Sequence, residues 1–312
     1  MKKYLIILVL IASQTAFAQF DYGFDFRKSG TAGYQFLKIG VGAEQIALGD
    51  AVTATVHDAA AVFWNPAGLG WLENRQVIAH YSNWLVNSKH SAFVLAFPFK
   101  SLQLGFSVVS LNVESFEETT VDEPLGTGRM VDAGNVMAGF AVTRRFTDRL
   151  SIGGQVKFVQ EKLDDLTFNN VLFDIGTIYF TGFRDLRLAF AFQHFGPDQT
   201  FRDQKFKMPL LFRVGAADNL VKNENFRVTA AVDLLHPTDN REWVNWGLEL
   251  AFLDALALRG GYRMNIDEGN LTLGVGLMSP NVAGFQPKID YAYSSFGDVF
   301  GAVHRFSVAL NF

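Results

Sequence analysis

The sequence predicts an all-β fold: a transmembrane antiparallel β-barrel of about 14 strands, preceded by a short N-terminal hatch containing small helices. Three observations predict it: an export signal at the N-terminus, a long series of segments in which apolar and polar residues alternate, and connectors of alternating length. Aromatic residues make up 14% of the chain, with 31 Phe and 28 Gly against 8 Pro, which suits long regular strands under a wide apolar cover.

Residues 1–18 have the features of a secretory signal peptide. Lys2 and Lys3 precede an apolar run over residues 5–12, and residues 16–18, Ala-Phe-Ala, form a small-residue cleavage site. The run is too short to span a bilayer, and no later stretch approaches the ~18 apolar residues of a membrane helix. We therefore expect export with cleavage after Ala18, in preference to a short N-terminal anchor helix.

From about Arg75 onward the chain divides into segments with period-two alternation. In EWVNWGLELAF, residues 242–252, one face carries Val, Trp, Leu, Leu and Phe, and the other carries Trp, Asn, Gly, Glu and Ala. The predicted strands are centred near Ile78, Leu95, Phe106, Gly139, Gln155, Ile175, Phe190, Val214, Thr229, Gly247, Arg259, Val275, Tyr291 and Ser307. The segments near Leu95 and Phe106 are apolar on both faces, so their orientation stays open.

The connectors predict that residues 75–312 form the barrel. Tight turns are expected at Phe99–Ser101, Phe146–Arg149 and Leu253-Asp254, and longer links at Glu114–Gly134, Gln160–Asn169, Phe195–Pro209 and Leu235–Arg241. Short turns at one end and long loops at the other are typical of bacterial outer-membrane barrels. A soluble β-sandwich or lipocalin-like barrel is the alternative, because periodicity does not tell which face meets lipid.

Residues 19–74, the predicted hatch, do not alternate. Two helix-like pieces, Ala43–Leu48 and Asp58–Trp64, are separated by glycines. We expect Asp58 to cap the second piece and Pro66 with Gly68 to prevent its continuation. So short a segment needs a surface to pack on, and the barrel interior or its periplasmic mouth is the nearest.

The stretches YQFLKIGVGAEQIALGDAV and HDAAAVFWNPAGL resemble the N-terminal signature of the PorV/PorQ family within the FadL-like outer-membrane proteins. The matching positions include the hatch-turn and signature residues Gly42, Ala43, Gly49, Asp50, Asp58, Asn65, Pro66, Ala67 and Gly68. The resemblance implies a barrel of about fourteen strands with a hatch in its lumen. Glu44 stands where this family usually has Arg, so the ion pair of that Arg is not expected here.

The resemblance also implies a function. A PorV/PorQ-type barrel is expected to be a type IX secretion-related component that binds exported cargo or partner proteins at the cell surface. The alternative is a FadL-like transporter of hydrophobic small molecules such as fatty acids, in which Pro98 or Pro209 would mark a kinked wall strand. A third hypothesis is a structural barrel that serves envelope integrity alone.

If the apolar faces meet lipid, ionisable side chains are enclosed in the lumen. We expect ion-pair networks there, since unpaired charges are costly away from water, and the surplus of bases could hold a carboxylate. Arg259 and Arg263 are the best-placed pair for that role. The predicted lumen ligand or ion-pair residues are Arg213, Arg227, Glu249, Arg259, Arg263 and Arg305; the enclosed face also carries Lys157, Asp174, Asp233, Lys288 and Asp290.

Composition and motifs argue against other functions. Cysteine is absent, and a net charge of −4 does not favour nucleic acid as a partner. The six His lie near no nucleophile elbow and no zinc motif, so we predict no enzyme activity, no cofactor and no metal. The expected partners are outer-membrane lipid or lipopolysaccharide, secretion-system proteins or cargo, and a hydrophobic small molecule.

Overall fold

The computed structural model describes residues 30–312, so the predicted signal peptide and residues 19–29 lie outside the described residues. A closed antiparallel barrel of 14 strands confirms the predicted fold class, and every segment predicted from alternation is one of its strands. In chain order the strands are β1 (Gln76–Asn83), β2 (Lys89–Phe99), β3 (Leu102–Asn112), β4 (Phe116–Glu117), β5 (Met130–Val131), β6 (Ala133–Arg145), β7 (Leu150–Leu163), β8 (Leu166–Phe180), β9 (Arg187–Phe195), β10 (Gln199–Phe201), β11 (Gln204–Phe206), β12 (Leu211–Lys222), β13 (Phe226–Pro237), β14 (Trp243–Phe252), β15 (Leu256–Met264), β16 (Leu271–Met278), β17 (Gln286–Ser295) and β18 (Ala302–Asn311).

The two ends of the barrel differ. At the end that we call the turn end, β1 begins, β18 ends, and connectors such as residues 100–101 are short. At the opposite loop end, two small hairpins stand apart from the barrel sheet: β4 with β5, and β10 with β11. They occupy the predicted long links Glu114–Gly134 and Phe195–Pro209, and β1 pairs with β18 to close the barrel.

The long link predicted at Gln160–Asn169 is wrong, because β7 and β8 continue through it as a hairpin. Leu163 pairs with Leu166, and only residues 164–165 remain for the turn. The link predicted at Leu235–Arg241 likewise shortens to residues 238–242. Ladder hydrogen bonds join backbone groups, so a strand continues where its side chains become polar and the hydrophobic alternation ends.

Side chains are sorted between the two faces as the alternation predicts. Trp246 and Phe306 are 47% and 50% exposed on the outside, whereas Arg259 and Arg305 are 6% and 3% exposed inside. In β2, which is apolar on both faces, small residues such as Ala96 face inward and the phenylalanines face outward. Small inward residues leave room for the chain that fills the barrel.

The barrel interior is filled by residues 34–72, which we call the luminal segment. It contains a 3₁₀ turn (Gln35–Lys38), helix α1 (Ala43–Ala47), helix α2 (Ala61–Trp64) and a second 3₁₀ turn (Pro66–Trp71). It starts at the loop end, where the Tyr34 N–H donates to Glu161, and it leaves at the turn end, where Arg75 pairs with Phe312. Its apolar side chains supply most of the hydrophobic core.

The helices of the luminal segment match the predicted pieces, although α2 is shorter than expected. Asp58 does not cap α2 directly: its Oδ1 accepts the Ala60 N–H at 3.1 Å, and Ala60 is the N-cap residue. A third helix, α3 (Gly297–Phe300), lies between β17 and β18. Within residues 30–312 every helix falls short of the length and apolar character that a membrane span needs.

Candidate functional site

The turn at Asn65-Pro66 ends helix α2 and ties the luminal segment to the wall. The Asn65 Oδ1 accepts the Ala67 N–H at 3.1 Å, while its Nδ2 donates to the carbonyl oxygens of Thr53 at 2.9 Å and Thr177 at 3.2 Å. Pro66 has no N–H with which to continue the helix. Because Asn65 is fully buried and its side chain bonds in three directions, this turn is a fixed joint between two parts of the segment and strand β8.

A carboxylate on strand β13 holds the middle of the luminal segment. The Asp233 Oδ2 accepts the N–H groups of Val52 at 3.0 Å and Thr53 at 2.9 Å, and the Thr53 hydroxyl at 2.5 Å. Arg213 donates to the same oxygen at 3.1 Å, and its guanidinium lies 4.9 Å from the centre of the Trp64 ring. Charge-assisted bonds of this kind are stronger than neutral ones.

An ion-pair network anchors helix α1. Arg259 donates to Glu44 at 3.2 Å, to Glu249 at 2.7 Å and to Asp290 at 2.6 Å. Lys288 pairs with Glu44 and lies 3.4 Å from Asp290. Burial opposes ionisation of Glu44, but the charges of Arg259 and Lys288 outweigh it and hold the pKa of Glu44 below its ordinary value. Thus Glu44, which stands where the resembled family usually has Arg, makes ion pairs with two bases of the wall.

The predicted arginine pair is divided between separate partners. Arg263 donates to Asp50 at 3.1 Å and to the Gly269 carbonyl at 2.8 Å, while Arg259 belongs to the network around Glu44. An external carboxylate would have to displace acids of the protein from Arg259, whereas the Arg263 Nη2 is buried without a hydrogen-bond partner among residues 30–312. Their joint role as a carboxylate clamp stays a prediction.

Glycine allows the luminal segment to touch the wall backbone to backbone. A Cβ at Gly261 of β15 would lie 2.0 Å from the Gly49 nitrogen, and one at Gly247 of β14 would lie 2.7 Å from the Leu48 carbonyl oxygen. Gly49 has a φ of 64°, in the left-handed region that favours glycine. This contact gives the predicted signature residue Gly49 a structural reason.

The signature residues lie along one segment but contact different strands. The Ala43 N–H donates to the Ser307 hydroxyl of β18 at 2.7 Å, and the Ala67 carbonyl accepts from the Ser151 hydroxyl of β7 at 2.8 Å. Gly68 packs against the luminal segment itself, since a Cβ there would lie 2.5 Å from the Val56 carbonyl oxygen. The signature therefore specifies how the segment fits inside the barrel.

A small pocket of about 60 Å³, which we call the mouth pocket, lies on the loop-end side of the luminal segment. Buried Lys157, which pairs with Asp174, borders it, and its Nζ lies 3.3 Å from the His194 Nδ1. The apolar residues that line the pocket are Phe36, Leu37, Ile39, Val41, Phe63, Trp64, Val109, Met137, Leu211, Leu235 and Trp243.

The barrel wall is irregular beside the mouth pocket. Opposite Asp174 of β8, strand β9 carries an extra residue at Gln193-His194, and the pairing register shifts. His194 has a φ of 63° and donates its N–H to Asp174 at 2.9 Å. Pro98 lies at the end of β2, where it pairs regularly with Gln103, and Pro209 lies just before β12, whose Leu211 pairs with Gln193 of the shift. Their role as marks of a kinked wall strand stays a prediction.

A larger cavity of about 480 Å³, which we call the exit cavity, lies at the turn end between the luminal segment and the wall. The Trp71 and Phe180 rings, 4.9 Å apart, form part of its apolar lining with Val52 and Val56. The charged residues that line it are Glu44, His57, Asp58, Glu73, Arg187, Arg227, Glu249, Asp254, Arg259 and Lys288.

The alternation pattern did not single out three residues that matter here. Thr53 looks like an ordinary loop threonine, His194 is displaced by the bulge, and Arg187 stands at the first position of its strand. Their roles depend on partners far away in the chain. Among the described residues, His, Asp and Glu form no group of three or more that could hold a metal ion.

The comparisons with known proteins agree with this architecture. The chain matches no family profile and no curated protein. Among solved structures it is similar to a FadL homologue of Pseudomonas aeruginosa (TM-score 0.58, 10% identity, covering 88% of this chain and 98% of that one). It also resembles the CymD monoaromatic hydrocarbon channel (0.61, 11%, 88% and 97%) and the toluene transporter TodX of Pseudomonas putida (0.58, 11%, 85% and 96%). At such identities the likeness shows a shared barrel fold alone.

Proposed function

We propose that this barrel lies in the bacterial outer membrane and passes hydrophobic small molecules across it, the function that the sequence offered as the alternative. The observation that carries the proposal is a barrel whose interior is filled by its own luminal segment, yet which keeps a pocket with a largely apolar lining on the loop-end side of that segment. A water-filled porin has a polar lumen. The structural neighbours named as a toluene transporter and a hydrocarbon channel support the same reading.

The orientation follows from the barrel ends. Outer-membrane barrels place short turns in the periplasm and longer loops outside, so the loop end and the mouth pocket face the cell surface. A hydrophobic molecule then meets the apolar pocket first. The tightly held luminal segment blocks a straight path, and the irregular β8–β9 wall beside the pocket is the place where the sheet is most easily opened.

The test fills the mouth pocket and compares uptake. Val109 faces the pocket and is 4% exposed, whereas Val108, its neighbour in β3, faces lipid and is 46% exposed. We expect V109F to lower the initial uptake of radiolabelled toluene and of a labelled fatty acid into cells several-fold, and V108F to leave both unchanged. Uptake in V109F cells equal to that of cells with the unaltered protein, at equal barrel abundance, would count against the proposal.

A second candidate is a type IX secretion-related component that binds cargo or partner proteins at the surface. The PorV/PorQ-like signature supports it, and so does the region between β3 and β6, where Phe116, Val121, Leu125 and Met130 are all more than half exposed at the loop end. Apolar side chains clustered in sequence on an extracellular arm are typical of interaction sites.

Isolation of the barrel from native membranes in mild detergent tests this second function. A partner protein recovered with the intact chain and lost when residues 116–130 are replaced by a short Gly-Ser linker would support it. Recovery of lipopolysaccharide alone, with normal export of surface proteins in a deletion strain, would oppose it. The V109F uptake result is independent of this outcome.

A further inference from the structure

The exit cavity contains one arginine that has no ion-pair partner among the residues that the structure describes. Arg187 lines the cavity at the start of β9, and its Nε is buried without a hydrogen-bond partner among residues 30–312. It forms no ion pair with the described residues, and its guanidinium lies 5.9 Å from the centre of the Phe180 ring. A guanidinium stacked on an aromatic ring keeps its fork of donors free for an anion.

The other cations of the cavity are already paired. Arg259 and Lys288 hold Glu44 and Asp290, and Arg227 lies 3.6 Å from Glu249 and 3.3 Å from Asp254. Arg187 is therefore the cation of this lining with capacity for a further negative charge.

The acids nearest to Arg187 have partners of their own. Asp185 accepts from Asn219 at 2.9 Å and lies 3.7 Å from Lys222, while Asp218 lies 3.4 Å from Arg184. Asp185, Asp218 and Glu249 therefore attract Arg187 through space, but none of them forms a direct ion pair with it.

The lining defines the chemistry of an occupant. A single uncommitted arginine balances one negative charge, and the acids elsewhere in the cavity disfavour a multiply charged group such as a phosphate. Beside it, the Trp71 and Phe180 rings offer flat apolar surface. The cavity volume of about 480 Å³ lies in the range of about 300–1,000 Å³ typical of small-molecule sites.

We propose that the exit cavity is a binding site for aromatic monocarboxylates, whose carboxylate accepts from Arg187 and whose ring packs against Trp71 and Phe180. The site is distinct from the mouth pocket, because the luminal segment lies between them. It extends the proposed function to the periplasmic end of the barrel. Its test measures binding, not passage, so either proposal can fail alone.

Equilibrium binding of 4-(trifluoromethyl)benzoate to the full-length mature barrel in phosphatidylcholine nanodiscs, followed by ¹⁹F NMR, tests the site. Loss of a charge-assisted hydrogen bond lowers affinity by about tenfold or more. We therefore expect R187Q to raise the Kd of the benzoate by at least about tenfold. R145Q, which alters an exposed arginine at the same end of the barrel and outside the cavity lining, should change it less than about twofold. The uncharged analogue 4-(trifluoromethyl)benzyl alcohol should bind both proteins equally weakly.

A second measurement does not depend on the folding of R187Q. 4-Iodobenzoate should quench a tryptophan signal that disappears in W71F, a conservative change at the cavity. Equal affinity of R187Q and the unaltered protein for the benzoate, or quenching that W71F leaves intact, would overturn the proposal. Equal binding of the alcohol and the benzoate would do the same, because it would show partition into lipid alone.

Discussion

Removal of the Asp233 carboxylate should loosen the luminal segment from β13. Three hydrogen bonds from Val52 and Thr53 end on one oxygen of this fully buried group, and Arg213 shares it. Bonds to a charged acceptor contribute about 1.5–3 kcal/mol each, without adding fully, and breaking a buried pair costs about 3–5 kcal/mol. The anchors at Asn65 and Glu44 remain in D233A, so the loss is limited to this one anchor. We expect D233A to lower the free energy of detaching the segment by about 3 kcal/mol.

A cysteine accessibility assay measures this loosening. The chain contains no cysteine, so A54C introduces a unique thiol at a position that is 2% exposed between the segment and the wall. Its rate of maleimide labelling follows the population of opened molecules. A change of about 3 kcal/mol corresponds to about a hundredfold in that population, so labelling of D233A/A54C should be about a hundredfold faster than that of A54C.

The controls separate the luminal anchor from a general effect of charge. D233N keeps the shape but removes the charge and should speed labelling by about tenfold. D254N alters a carboxylate whose side chain is 73% exposed, and should leave the rate unchanged. Labelling of both D233A/A54C and D233N/A54C at the rate of A54C would show that the Asp233 carboxylate does not hold the luminal segment against β13. If D233A does not fold, D233N alone decides.

Three further predictions concern the same segment. G261A should prevent its native seating and raise A54C labelling strongly, whereas the neighbouring G260A, whose Cβ would meet nothing closer than 3.6 Å, should match the parent. N65A should lower the free energy of unfolding in urea by about 2–4 kcal/mol, because three buried groups lose their partner; a normal midpoint would contradict the joint at this turn. The lowered pKa of Glu44 stabilises the seated segment above the ordinary value of 4.5 and ceases to do so as pH falls through the lowered pKa. Ion conductance in planar bilayers should therefore rise progressively as pH is lowered below 4.5. E44Q should conduct more than the unaltered protein above pH 4.5 and change less as pH falls.

The barrel could be read from the sequence because its signal is local. A strand that separates lipid from an enclosed interior must alternate, and hydrocarbon tolerates no unpaired backbone. The same reasoning located charged residues such as Asp233 on the inner face. It failed at Gln160–Asn169, where the strands continue although the alternation of buried and exposed side chains ends.

The partners inside the barrel could not be read from the sequence. Glu44 pairs with bases more than two hundred residues away in the chain. Position 261 has no room for a side chain only because Gly49 lies against it. The bulge at His194 is defined by the pairing of β9 with β8, which the sequence of β9 alone does not give. Each of these contacts depends on closure of the sheet, which brings distant strands to one enclosed space.

The strands, the two alternating faces of most of them, and a short irregular piece that needs a surface all follow from the sequence. The tertiary structure was needed to show that this piece fills the barrel from the loop end to the turn end and which charged residues it pairs with. It was also needed to show that Arg187 has no ion-pair partner among the described residues. The physical reason is that hydrophobic periodicity acts residue by residue along the chain. Charge pairing and cavity shape arise between segments, and their energies depend on burial and distances that exist only after folding.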